Sequence, residues 1–189
     1  MYNAKMDEKI IAKGKLFELV QLSQKDGRVF ELARRAPGVR VIIADKATKK
    51  LLLTKEFRRE LKAWDYRLPG GKVFDTLDEY EVFRRTGKDI LGPAEKKAKE
   101  EAAEEAGVSV NGVQLFRRSV LGVTIEWDLY IFEALDWKNR PGGQALEDGE
   151  QIEAPAWYDF AEVEQMILDG RMQEERVALV LLQWLKLNA

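Results

Sequence analysis

The sequence contains neither cysteine nor histidine. Without cysteine there is no disulfide, no thiolate zinc site and no cysteine nucleophile. Without histidine there is no imidazole-held zinc, no Ser-His-Asp triad and no histidine general base. Any metal must therefore be held by oxygen, which selects Mg²⁺, Mn²⁺ or Ca²⁺. Any general base must be a carboxylate, a lysine or a tyrosine. An excess of charge is missing too, since 31 Lys and Arg face 33 Asp and Glu, for a net charge of −2. That balance argues against a basic nucleic-acid surface as the main function. No apolar run reaches the roughly 18 residues of a membrane span. The first residues, Met1 to Glu8, lack the apolar stretch of a signal peptide. The expectation is a cytoplasmic protein with neither membrane nor nucleic acid as partner.

What is present is enough for a core. The 189 residues are 46% hydrophobic and 34% charged, which fits one domain or one domain with a small extension. The most telling stretch is Leu68 to Val108, above all Lys96-Lys97-Ala98-Lys99-Glu100-Glu101-Ala102-Ala103-Glu104-Glu105-Ala106-Gly107-Val108. Pro93 suits a first helical position and Gly107 the left-handed residue just past the end. The alanines, lysines and glutamates between them are strong helix formers. Their order is odd. Glu100, Glu101, Glu104 and Glu105 crowd the last turns, where the helix dipole favours cations by about 0.3–1 kcal/mol. The like-charge pairs Glu100/Glu104 and Glu101/Glu105 each cost roughly a further 0.2–0.5 kcal/mol. Such a face is either merely solvated or covered by something positive, and a divalent cation is the obvious candidate.

The rest of the chain reads as mixed α/β with mostly antiparallel strands. Residues 9–22 form one or two strands broken at Gly14, and Asp26-Gly27 marks a hairpin returning through 28–35. Val39, Val41 and Ile43 alternate with Arg40, Ile42 and Ala44 as a half-buried strand would. Strands are expected over 50–55, 64–68, 112–120, 125–134 and 152–158, and 137–150 reads as a loop. Thr76-Leu77-Asp78-Glu79 is a capping-box pattern opening a short helix to Arg85. Helices are expected over 160–168 and 173–187. Trp64, Trp127, Trp137 and Trp157 read as core or interface residues rather than base-stacking platforms.

Gly71 followed by Glu101-Ala102-Ala103-Glu104-Glu105-Ala106-Gly107-Val108 resembles the Nudix hydrolase box, Gly-x5-Glu-x7-Arg-Glu-U-x-Glu-Glu-x-Gly-U with U apolar. Further segments resemble the ADP-ribose pyrophosphatase and nucleotide-sugar hydrolase branch. They are Lys13 to Phe17, Arg34 to Val41, Leu53 to Arg58, Leu68 to Lys72, Gly122 to Glu126, and Asp169-Gly170. Three departures stand out. About fifteen extra residues, carrying the Thr76–Arg85 helix, separate Gly71 from the acidic helix. Glu100 occupies the place of the box arginine, and Gly92 that of the first box glutamate. Lys97, Arg84 or Arg85 are the cations near enough in sequence to stand in for that arginine.

The resemblance implies a Nudix fold: a mixed, mostly antiparallel sheet between helices. It implies an N-terminal strand unit over 1–38 that pairs across a twofold dimer, and a Nudix domain over 39–189 with an inserted helix at about 74–90. It implies Mg²⁺, with Mn²⁺ possible, and hydrolysis of a nucleoside diphosphate derivative to a nucleoside monophosphate and a sugar phosphate. Carried over by position, the metal ligands are Glu101, Glu104, Glu105 and the Gly70 carbonyl. Glu104, Glu105 and Glu126 are the catalytic acids, and Arg58 and Arg34 contact substrate. A second reading stays open. With Glu100 and Gly92 where the box residues belong, the chain can be a Nudix-fold binding or regulatory protein that has lost the chemistry.

Overall fold

The computed structural model describes residues 7–188. Three strands open the chain: β1 (Asp7–Lys13), β2 (Glu18–Ser23) and β3 (Val29–Arg34), antiparallel in that order. The β2–β3 turn has Gly27 at φ 84°, as the Asp-Gly signal requires. Next come β4 (Gly38–Ile42), β5 (Ala44–Asp45), β6 (Lys50–Arg58) and β7 (Ala63–Arg67). Two helices follow, α1 (Leu77–Arg85) and α2 (Leu91–Glu105), then β8 (Val108–Ser119), β9 (Ile125–Glu126) and β10 (Leu129–Asn139). The chain closes with β11 (Ala156–Asp159), α3 (Phe160–Leu168) and α4 (Glu175–Asn188). None of the described helices is long and apolar enough to cross a membrane.

The strands form three sheets: β1-β2-β3-β9, β4-β10-β8, and β11-β6-β5 with β7 added on β6. Among the described strands only the pairs β4–β10 and β3–β9 are parallel. Helices cover both sides. Val39, Val41, Ile43, Tyr130 and Phe132 pack against the alanines of α2. Ile42, Leu51, Leu53, Leu129 and Ile131 pack with α3 and α4 around the fully buried Trp184. This explains a departure from the sequence pattern. The alternation in β4 does not separate core from solvent; it separates two cores, and every residue of the strand is buried. Arg40 is thereby buried as well.

The N-terminal sheet is not built from the first 38 residues alone. The two-residue strand β9, from after the acidic helix, adds to its edge through Ala33↔Ile125 and Arg34↔Glu126. The inserted helix α1 lies against this sheet, with Lys13 Nζ 2.6 Å from Asp78 and 3.3 Å from Glu81. Thr76 caps α1 by accepting the Glu79 N–H at 3.2 Å. Phe74, Tyr80 and Phe83 form the aromatic cluster beneath it.

Candidate active site

Helix α2 carries two stripes side by side. Ala94, Ala98, Ala102 and Ala106 recur every four residues and pack on the sheet. One position earlier in each turn stand Lys97, Glu101 and Glu105. They are drawn to the edge of the buried face, so Glu101 and Glu105 are only 7% and 8% exposed. The helix begins two residues before Pro93, which sits third; the missing N–H is harmless anywhere in the first turn. Gly107 ends it at φ 61°. A Cβ there would lie 2.8 Å from the Gly143 carbonyl carbon, so only glycine lets the following loop close against the helix end.

That loop satisfies the last carbonyls of α2. Gln144 donates to the Glu105 carbonyl at 2.6 Å, Ala145 N–H to Glu104 at 2.8 Å, and Arg140 N–H to Gly107 at 2.8 Å. Clamped this way, the loop brings Glu147 and Glu150 to the cleft that Glu101, Glu104 and Glu105 line. Arg59 steadies the turn by donating to the Gly149 carbonyl at 3.0 Å. Neither Glu147 nor Glu150 was a sequence candidate. They lie in an aperiodic loop, and only the register of the clamp aims them.

The residues after β7 complete this wall. Val41 N–H binds the Pro69 carbonyl and Val39 N–H the Gly71 carbonyl, both at 2.9 Å. In an extended segment the residue between them points the other way. Gly70 N–H accordingly donates to Glu105 Oε2 at 2.8 Å. Burial first, then the neighbouring charges of Glu101 and Glu150, push the Glu105 carboxyl up to about 8, against the pull of the Gly70 N–H and Arg40. Burial also raises Glu101, opposed chiefly by Lys97.

The opposite wall is basic. Arg40 from β4, Arg58 from β6 and Arg67 from β7 line the same cleft of about 240 Å³. They share two acids. Glu174 Oε2 accepts from Arg40 and Arg67, each at 2.9 Å, and Glu56 accepts from Arg58 at 3.0 Å and Arg67 at 2.9 Å. Arg58 is therefore in the cleft, as its sequence position suggested, and Arg40 and Arg67 join it.

Two sequence candidates lie elsewhere. Arg34 is 2% exposed and outside the cleft lining. It donates to Glu18 at 2.9 Å and to Glu8, and its Nε lies 2.9 Å from Glu126. The cluster ties β1, β2, β3 and β9 together, with Glu126 engaged through Oε2 and its side chain still 37% exposed. A strand pairing invisible to sequence period, β3 with β9, is the reason. Glu147 and Glu150 reach the cleft from outside the helix, as do Glu56 and Asp75.

These residues suit a hard divalent ion. The donor set is all oxygen, and the buried Glu101 carboxylate stands close enough to raise the proton affinity of Glu105. The space beside Glu101 exists because residue 71 lacks a Cβ, which would fall 2.0 Å from Glu101 Oε1. No three acid side chains among the described residues converge at coordinating geometry. Lys97 Nζ instead sits 2.9 Å from Glu101 Oε1 and 3.7 Å from Glu104. Glu100, at the box-arginine position, is turned outward to Lys96 at 3.4 Å. Lys97 is thus the cation on the acidic face. Lys97→Met is expected to lower stability in EDTA by about 1–3 kcal/mol, the cost of stranding a buried charged partner. It should also enlarge the stabilisation given by Mn²⁺. Thermal unfolding with and without Mn²⁺ checks both.

The NUDIX domain family matches residues 34–180. This chain belongs to the Nudix family. Its members generally use divalent metal ions. No curated protein matches the chain by sequence. Among solved structures, an ADP compounds hydrolase is similar over 95% of this chain and 92% of its own, with a TM-score of 0.63 and 18% identity. At that identity the likeness concerns the fold. This Nudix protein shares the mixed sheet-and-helix architecture.

Proposed function

We propose that this Nudix protein hydrolyses the diphosphate of a nucleotide sugar or ADP-ribose-like compound, in a Mg²⁺-dependent reaction. Water is consumed, and a nucleoside monophosphate and a sugar phosphate are released. One observation carries the reading: a single cleft sets the carboxylates of Glu101, Glu104, Glu105, Glu147 and Glu150 against the guanidiniums of Arg35, Arg40, Arg58 and Arg67. The similarity to an ADP compounds hydrolase supports the substrate class. Glu101, Glu104, Glu105 and the Gly70 carbonyl are the groups that would hold Mg²⁺, with Mn²⁺ able to replace it. A bound ion would supply positive charge to the diphosphate and make a water more acidic. Glu150, whose charge already bears on Glu105, would accept the proton of the attacking water. Arg58 and Arg67 hold phosphoryl oxygens with their planar forks. Hydrolysis of a panel of nucleoside diphosphate sugars and ADP-ribose with Mg²⁺ tests this. Turnover of none of them, with Glu150→Gln indistinguishable from wild type, would sink it.

A second reading is a ligand-binding protein without chemistry. It is favoured by Lys97, which neutralises Glu101 with no metal at all. Titration with Mn²⁺ separates the two, because a pure binder keeps Lys97 on Glu101 and takes up no ion there.

We also propose a homodimer joined through the N-terminal strand unit. Ile10, Ile11, Phe17, Val29 and Phe30 remain 43–50% exposed on that sheet. An apolar patch of this kind marks a partner surface. Light scattering is expected to give twice the chain mass at micromolar concentration, and Phe30→Asp the mass of a single chain. A single-chain mass for the wild type would refute the dimer.

A further inference from the structure

The arginine wall is not fully neutralised. Glu56 is already divided between two arginines, and Glu174 between Arg40 and Arg67, with Arg176 a further 3.6 Å from it. Glu60 and Asp65 reach Arg58 and Arg67 only at 3.8 and 3.9 Å. Arg35 also lines the cleft, and among the described residues no carboxylate lies within ion-pairing distance of it. Its guanidinium instead stacks over the rings of Phe17 at 5.1 Å and Trp127 at 4.3 Å. Arg176 lies over the same indole at 4.0 Å and donates to the Trp127 carbonyl at 2.9 Å. Two guanidiniums therefore share one ring.

Three donors beside this stack are buried without an acceptor: Trp127 Nε1, Arg40 Nε and Arg176 Nη2. Trp127 belongs to the cleft lining, beside Gly38. A Cβ at residue 38 would approach Trp127 Nε1 to 3.7 Å. Buried donors left unpaired cost free energy, and so does a half-buried cation beside another arginine. Burial and the Arg40 charge both work against the protonated form of Arg35. A guanidinium lying flat on a ring keeps its N–H edge free. The acceptor that meets all these demands is an oxyanion, and the best-matched one is a phosphoryl group.

We infer that Arg35 and the Trp127 N–H form an oxyanion subsite that binds a phosphoryl group without a metal ion. It rests on the diphosphate reading only for its natural occupant, the substrate phosphoryl remote from the acidic wall. Trp127 had read as a core or interface residue. The structure makes Arg35 and Trp127 neighbours because Arg35 N–H pairs with the Glu126 carbonyl at 3.1 Å, the residue before Trp127.

The test uses inorganic pyrophosphate and the full chain in EDTA, followed by calorimetry and tryptophan emission. Saturable binding with an emission change is expected, and Trp127→Phe should abolish the change and weaken binding. Arg35→Met should weaken binding about 10- to 100-fold, the loss for a charge-assisted hydrogen bond. Arg35→Lys, which keeps charge but not the planar stack, should fall between. Glu105→Gln should bind at least as tightly as wild type. Absence of pyrophosphate binding in EDTA overturns the subsite, and so does unchanged affinity in both Arg35→Met and Trp127→Phe. Hydrolysis of nucleoside diphosphate compounds is a separate measurement, so a failed activity assay leaves this outcome readable.

Discussion

Glu105→Gln is expected to cost about 10²–10⁴-fold in hydrolysis, the usual range for removing an essential acid–base or ligating group, and to abolish stabilisation by Mn²⁺. The same variant reports on proton linkage. In the metal-free fold, burial and then Glu101 hold the Glu105 carboxyl up to about 8, while the unfolded chain releases its proton near the ordinary 4.5. Between those values the folded chain binds more protons than the unfolded one, so stability falls as pH rises. The penalty is absent below about 4.5 and complete above about 8. Glutamine can still accept from the Gly70 N–H and cannot titrate. In EDTA, Glu105→Gln should therefore be more stable than wild type at pH 8–9 and close to it at pH 4.5. With Mn²⁺ the order reverses, because the ion displaces the proton and its benefit to the wild type grows with pH. Thermal unfolding of both proteins across pH, with EDTA or Mn²⁺, measures this. Identical pH slopes in EDTA would contradict the buried, proton-holding Glu105.

The acidic helix was the most legible element, and its legibility had a physical source. Acids at the wrong end of a helix dipole need a reason, and the Glu101/Glu105 stripe beside the alanines supplies one. The left-handed stop at Gly107, the Thr76 cap and the N-terminal hairpin were equally readable, since each depends on a local backbone demand. What did not show in the sequence depended on long-range pairing. The period of β4 was visible, but a period says which residues share a face and not what lies against it. Both faces of β4 turned out to be covered, and Arg40 became part of the cleft. Arg34 and Glu126 looked like site residues by position, yet the β3–β9 pairing joins them to each other. Arg35, the next residue, points to the cleft instead.

The acids of the 140–153 loop illustrate the same limit from the other side. Glu147 and Glu150 have no periodic signature, and their neighbours Gly142, Gly143 and Gly149 mark only a turning chain. Their direction is set by Gln144 and Ala145 binding the Glu105 and Glu104 carbonyls. Both the helix acids and the loop acids thus hang on the last turn of α2. Lys97 belongs to the same economy of position: one turn before Glu101, it provides the cation that Glu100 cannot.

Two adjacent glycines should separate fold from site. At Gly70 a Cβ would fall 2.1 Å from the Val39 carbonyl oxygen and 2.9 Å from Arg40 Cα. Those atoms are backbone of a fully buried strand and cannot yield. Gly70→Ala must push residues 69–71 off β4, breaking the Val39 and Val41 hydrogen bonds and the one to Glu105. A loss of about 3 kcal/mol is expected, which lowers Tm by roughly 6–12 °C for a chain of this size. At Gly71 the Cβ would meet Glu101 Oε1 at 2.0 Å and Cδ at 2.7 Å, the far end of a flexible side chain. The carboxylate can swing aside, so Gly71→Ala should keep Tm within about 2 °C of wild type. Its cost falls on the site, because a reacting group displaced by about 1 Å can lose on the order of 10²-fold in rate. Mn²⁺ affinity should weaken in parallel. Calorimetry beside a hydrolysis assay and a Mn²⁺ titration distinguishes the two variants. Equal losses of Tm in both would mean that residue 71 serves the fold rather than the acidic wall.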